Sequence, residues 1–162
     1  MIRRATSRKM HAVKRDYPGR ILVVDDSRAS RVLIRRFLHA LGAQTAEAVD
    51  GFSAWRRVQA DSFDLLITDY EMPGWDGGKL VNAIRDASRR RLRHLPVIMV
   101  SSVRCSELRQ RTGTELVDHF LPKPIDVAKL DVLLRRITRG SRYRLLVDQR
   151  DRSSGSSGNK KA

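Results

Sequence analysis

Four apolar runs in this chain each lead into a side chain capable of ionic chemistry. Residues 21–24 run into the pair Asp25 and Asp26, residues 65–68 into Asp69, residues 97–100 into Ser101, and residues 120–121, two positions on, into Lys123. Carboxylates brought within a few ångströms of one another repel, so one takes up a proton or a cation binds among them. Oxygen donors with no His or Cys beside them suit a hard divalent ion, Mg2+ or Mn2+, rather than Zn2+; Mg2+ prefers few carboxylates together with waters and a phosphoryl oxygen. The acidic group therefore implies a phosphate partner. A carboxylate such as Asp69 is a known nucleophile toward phosphorus. The phosphorylated product gains about −1.5 to −2 charges, which Lys123 can pair as a point charge and the Ser101 hydroxyl can meet. Taken singly, each residue has a plainer explanation: acids and serines at strand ends cap helices, and a lysine beside a proline is simply solvated. What sets them apart is that all follow apolar runs.

Residues so far apart meet only if the runs are parallel strands sharing one carboxyl edge, where open doubly wound sheets bind ligands. From residue 21 onward, short apolar runs alternate with segments of helical period, which argues for βαβ units. The strands are expected at 21–24, 45–48, 65–68, 97–100 and 120–121. Ala29, Leu33, Phe37 and Leu41, with Val32, Ile34 and Leu38 beside them, predict a helix ended by Gly42; Arg28, Arg31, Arg35 and Arg36 take its other faces. Further helices are expected over 52–59 after an Asp50-Gly51 turn, over 77–85, over 105–112 closed by Gly113, and over 125–137 with Ile125, Leu130, Leu133, Leu134 and Ile137 toward the sheet. The basic stretch SRRRLRH at 88–94 reads as a solvated loop. Trp75 either covers the pocket or offers a partner contact, or merely packs. His11, His39, His94 and His119 lack a phosphohistidine context, and His39 is expected on a packed helix.

The 162 residues, 41% hydrophobic, suffice for one core, and no apolar run approaches the ~18 residues of a membrane span. The lone Cys105 neither staples the fold nor sits at metal-ligand spacing, and its expected role is packing in a reducing compartment. With no secretory signal at the N-terminus, the expected location is cytoplasmic. The charge of +15 is concentrated at the ends: residues 1–20 contribute +6 and residues 139–162 contribute +5. The expected division is a basic extension over 1–19, a single domain over 20–138, and a basic Ser/Gly-rich tail over 139–162, flexible except where 144–147 could form a short element. Such ends attract nucleic acid only weakly and with steep salt dependence.

The motifs RILVVDDSRASR, LLITDYEMPGWDGG, PVIMVSS and HFLPKPI, in this order, resemble the receiver domain of bacterial two-component response regulators, specifically the stand-alone chemotaxis type, over about residues 20–138. The resemblance implies an α/β, doubly wound, flavodoxin-like receiver fold with a five-stranded parallel sheet in the order 2-1-3-4-5. It implies that Asp69 is phosphorylated by a sensor histidine kinase or histidine phosphotransfer protein, with Mg2+ held by Asp25, Asp26, Asp69 and the Glu71 backbone carbonyl. Asp25 would act partly through water. Lys123 would pair with the phosphoryl group, Ser101 would follow it, and Phe120 would be the switch aromatic that alters binding of a downstream protein. The Lys123–Pro124 bond would be cis. Such a protein is a signalling domain, not an enzyme, beyond its self-catalysed phosphotransfer and autodephosphorylation. Several positions depart from the common pattern: Phe120 lacks a tyrosine hydroxyl, Ser101 stands for threonine, Ser102 for alanine, and Glu71 adds an acid at the pocket mouth. Glu71 and Val103 occupy the positions that tune phosphoryl lifetime in the family. Two other readings are an Asp-dependent phosphatase of the haloacid-dehalogenase kind, which expects Asp where Glu71 stands, and a nucleic-acid-binding protein acting through its basic tails.

Overall fold

Strands β1 (Arg20–Val24), β3 (Leu65–Asp69) and β4 (Val97–Ser101) are almost wholly buried, as expected of parallel strands covered on both faces, whereas β2 (Gln44–Ala48) is a half-exposed edge with a polar sequence. A computed structural model describes residues 19–112 and 116–138. With β5 (His119–Pro122), the strands form one parallel five-stranded sheet in the order β2-β1-β3-β4-β5, the flavodoxin-like receiver arrangement expected from the sequence. The connecting helices are α1 (Arg28–Ala40), α2 (Gly51–Ala60), α3 (Gly77–Arg85), the single turn α4 (Arg90–Arg93), α5 (Cys105–Thr112) and α6 over 127–138. None of them is long and apolar enough to cross a membrane.

The period-2 alternation of the strands divides the core in two. Leu22, Val24, Leu66, Val97 and Met99 pack under Ala54 and Val58 of α2 and Leu80, Val81 and Ile84 of α3. Ile21, Val23, Leu65, Ile67, Ile98, Val100 and Leu121 pack under Ile34 and Leu38 of α1 and Leu130, Leu134 and Ile137 of α6. On α1 the buried stripe is Ile34, Leu38 and Leu41, while Leu33 is 48% exposed. The first half of the i,i+4 row, Ala29 and Leu33, therefore faces away from the sheet while its later members Phe37 and Leu41 pack against it, because such a row drifts about 40° per step around a helix of 3.6 residues per turn. His39, on this packed helix, is exposed. Gly42 ends the helix as expected: at φ 84° its N–H donates to His39 O, and the Ala43 N–H donates to Leu38 O.

Two expectations need correction. Helix α6 starts at residue 127, not 125, because Asp126 Oδ1 caps it, accepting from the N–H groups of Ala128 (2.9 Å) and Lys129 (3.3 Å); Ile125 lies before the cap but still packs against the core. The basic stretch at 88–94, expected as a solvated loop, is solvent-exposed apart from Leu92 but contains a turn of helix tied to the end of α2. Leu92 is buried, Arg89 donates to Gln59 O at 2.8 Å, and Arg91 donates to Ser62 Oγ at 2.6 Å. A lone leucine among arginines leaves no hydrophobic period to detect. The tails, Gly113 and residues 144–147 lie outside the described residues, and nothing is described of the Cys105 side chain.

Two local devices hold α3 in place, one at each edge of the sheet. Arg85, at the end of α3, donates to the carbonyls of Leu116 (2.9 Å), Leu95 (2.8 Å) and Arg93 (3.1 Å) and pairs with Asp118 at 3.2 Å, while Asp118 accepts the Val97 N–H that starts β4. At the other end of α3, a Cβ on Gly77 would lie 2.3 Å from the Asp69 carbonyl oxygen, so only glycine lets this helix start against the end of β3. Arg85→Ala should therefore lower unfolding free energy in urea by about 1–3 kcal/mol, since it leaves the part-buried Leu116 and Leu95 carbonyls without their donor, whereas Arg90→Ala on the exposed side should change it by less than about 0.5 kcal/mol. Gly77→Ala should cost on the order of 1–3 kcal/mol by overpacking, and should shift the NMR resonances of Asp69 and Tyr70.

Candidate functional site

Along β1, β3 and β5 the alternation that buries every second strand residue under α1 and α6 continues past the strand ends. Asp25 is in phase with Ile21 and Val23, Asp69 with Leu65 and Ile67, and Lys123 with Leu121, all on the face covered by those two helices. Ser101 belongs to the opposite phase, with Val97 and Met99. The Asp25 N–H donates to Ala48 O at 3.3 Å and the Lys123 N–H to Ser101 O at 2.9 Å, so both loop residues are tied to the neighbouring strand.

These side chains meet. Asp25, Asp26 and Asp69 each present a carboxylate oxygen within 4.8 Å of the others; Asp25 and Asp69 are buried and Asp26 is exposed. Lys123 Nζ donates to Asp69 Oδ2 at 2.8 Å and stands 3.5 Å from Asp25 Oδ2. Asp69 Oδ1 accepts the Glu71 N–H at 3.3 Å, and Asp25 Oδ1 accepts the Ser27 N–H at 2.8 Å. None of the three acids caps a helix: those roles fall to Ser27 for α1, Asp50 for α2 and Asp76 for α3. The plainer explanation by capping therefore does not apply to them.

Burial pushes the Asp69 carboxyl above the ordinary carboxylate range; the Lys123 hydrogen bond and charge oppose this, and Asp25 adds to it. Burial of Lys123 works to lower its pKa, but the hydrogen bond and charge of Asp69, and then the neighbouring Asp25 carboxylate, outweigh it and the ammonium is held above its usual value. One ammonium thus serves two buried carboxylates. Asp25 Oδ2 remains a buried oxygen with no hydrogen-bond partner, since Lys123 at 3.5 Å faces it as a charge and gives its close bond to Asp69. A buried anionic oxygen without a donor, among oxygen-only neighbours, is the chemistry that suits a hard divalent cation.

Around this group, Ser101 is buried and its Oγ accepts the Val103 N–H at 2.9 Å. Phe120 sits opposite Met99 in register, one pair removed on the same face from Ser101 opposite Pro122, and is half-buried against the α2–α3 side of the core. The Lys123–Pro124 bond is cis, as the resemblance implied. Glu71 is exposed and its carboxylate is not part of the acidic group. Trp75 is half-buried and packs edge-to-face on Phe52 with ring centroids 5.7 Å apart, while its carbonyl accepts the Gly51 N–H at 3.2 Å. His39 contacts Thr45 Oγ1, and His94 and His119 are not in the acidic group. Reading the sequence missed Arg31 and Glu47, which brace the loop of the acid pair: Arg31 Nη1 donates to Asp25 O at 2.7 Å, and its Nε donates to Glu47 at 3.1 Å. The available signal was an arginine in the first turn of the helix that follows the acids.

Comparison with known proteins agrees with this geometry. The family profile described as the response regulator receiver domain matches residues 21–135. Chemotaxis protein CheY of Pseudomonas aeruginosa is 35% identical over 119 residues, a match covering 73% of this chain and 94% of that protein. Sensor protein GacS of Pseudomonas syringae pv. syringae is 31% identical over 112 residues, covering 68% of this chain but only 12% of GacS. The crystal structure of the receiver domain of sensor histidine kinase PA1611 from Pseudomonas aeruginosa, with a magnesium ion coordinated in its active-site cleft, superposes with a TM-score of 0.65 at 26% identity, covering 73% of this chain and 95% of that one. Sheet order, acidic cluster, profile match and similarity to CheY together establish that this chain belongs to the response regulator receiver domain family.

Proposed function

We propose that this chain is a phosphoaccepting signalling domain, in which Asp69 receives a phosphoryl group from a sensor histidine kinase or a histidine phosphotransfer protein. The observation that carries this reading is the position of Asp69: buried beside Asp25 and Asp26 and bonded to Lys123 Nζ at 2.8 Å. A carboxylate oxygen of Asp69 attacks phosphorus, an O–P bond forms, and the N–P bond of the phosphohistidine breaks with its electron pair going to the imidazole. Asp25, Asp26 and Asp69, with the Glu71 carbonyl, would hold Mg2+, for which Mn2+ is a chemically similar substitute. When bound, the ion supplies positive charge against the phosphoryl oxygens. Lys123 adds a second positive charge and is tied by its own backbone to Ser101 O. The reaction is the domain's own phosphotransfer and later dephosphorylation, not turnover of an external substrate.

Phosphorylation favours a second packing of the same fold through contacts that only the phosphoryl group makes. Ser101 exchanges the Val103 N–H for the phosphoryl oxygens, and Phe120, two residues back along the neighbouring strand and on the same face, follows into the space released. A downstream protein reads the change. The division into a receiver over 20–138 with basic extensions over 1–19 and 139–162, and a cytoplasmic setting, belong to the same proposal.

Incubation of the full chain with acetyl phosphate and Mg2+ should place one acid-labile, hydroxylamine-sensitive phosphate on Asp69, and neither Asp69→Asn nor the parent in EDTA should be labelled. Equal labelling of Asp69→Asn, or labelling of the parent without a divalent ion, contradicts the assignment. Ser101→Ala should still be labelled but should lose the phosphorylation-induced NMR shift of the Phe120 ring; an unchanged shift removes Ser101 from the switch.

A further inference from the structure

The loop that carries the acid pair is fastened by a side chain that touches neither carboxylate. Arg31 lies in the first turn of α1 and is only 11% exposed. Its Nη1 donates to the backbone carbonyl of Asp25 at 2.7 Å and to that of Asp26 at 3.3 Å, while its Nε donates to Glu47 Oε2 at 3.1 Å. Glu47 stands on β2, and its other oxygen accepts from Arg35 Nη1 at 2.8 Å. The next residue on β2, Ala48, accepts the Asp25 N–H. The backbone of the acid pair is thus held by a guanidinium at the Asp25 and Asp26 carbonyls and by β2 at the Asp25 N–H.

A guanidinium is suited to this because its rigid planar fork fixes several acceptors at once, which a single ammonium cannot do. Bonding to carbonyls holds the peptide units without occupying any side-chain oxygen of Asp25 or Asp26, in contrast to Lys123, which pairs with the Asp25 and Asp69 carboxylates directly. Glu47 supplies the counter-charge that keeps a poorly exposed arginine in place. We propose that Arg31, held by Glu47, is a positioning residue for the divalent-cation site of Asp25 and Asp26, an inference that rests on the cation reading given above.

The sign of the effect separates positioning from bulk electrostatics. Removing a positive charge beside an acidic cluster should tighten cation binding if only charge matters. If Arg31 orients the acids, its removal should weaken binding, as loss of an outer partner of a metal ligand typically does by about 10- to 100-fold. The test is calorimetric titration of Mg2+ into the full chain without phosphodonor, with folding checked by circular dichroism. Arg31→Met and Arg31→Lys should each weaken Mg2+ binding by about tenfold or more, and Glu47→Gln should weaken it by a smaller factor. Arg36→Met removes the same charge from an exposed position of the same helix that does not touch Glu47, and should leave affinity unchanged or raise it. Folded Arg31 variants that bind Mg2+ as tightly as the parent, or more tightly, overturn the inference; if neither folds, Glu47→Gln binding as tightly as the parent does so. A parent that binds no Mg2+ removes the cation reading itself, an outcome distinct from any result confined to the variants.

Discussion

The structure turns on the cost of holding like charges together out of water. Asp25 and Asp69 are both buried, Asp26 stands beside them, and a single ammonium from Lys123 faces the pair. Buried carboxylates that share one counter-ion are strained electrostatically, and burial already raises the Asp69 pKa despite Lys123. Buried acids gathered at the rim of a well-packed sheet are the mark of a functional site, and Asp25 Oδ2, buried without a hydrogen bond, faces only the Lys123 charge.

The rest of the architecture sets those charges in place. Nearly continuous burial of β1, β3 and β4 fixes the strands on both faces, so that the first polar residues beyond them emerge at one edge in a defined phase. Gly77 lets α3 begin against the backbone of Asp69, and Arg85 closes the opposite end of that helix against the start of β4. Arg31 and Glu47 add a brace from α1 and β2. Ser101 and Phe120 lie in the other phase, toward α2 and α3. In the proposed function, chemistry on one side of the sheet is thereby reported to the other through the strand that carries Ser101.

Much of this was legible in the sequence because it is written in periodicity. Apolar runs separated by helical segments specified β1, β3 and β4 and the parallel edge, and the position of Asp25, Asp26, Asp69 and Ser101 after those runs and Lys123 after β5 let the topology predict their convergence. What escaped was whatever depends on three-dimensional neighbours. On α1 the spacing named two adjacent apolar rows without deciding between them, and only the sheet decides that Ile34, rather than Leu33, is buried. The arginine-rich stretch at 88–94 looked solvated because its anchors are a lone leucine and backbone or hydroxyl acceptors on a distant helix end. Arg31 looked like one of four arginines on an outer face; its bonds to two carbonyls leave no trace in residue type.

The electrostatic account is tested most directly by thermal unfolding of the parent and of Asp25→Asn, each in EDTA and in excess Mg2+. Relief of repulsion predicts that Asp25→Asn melts higher than the parent in EDTA, and that Mg2+ raises the parent's Tm by far more than the variant's. A parent that melts at or above the variant in EDTA and gains nothing from Mg2+ contradicts it.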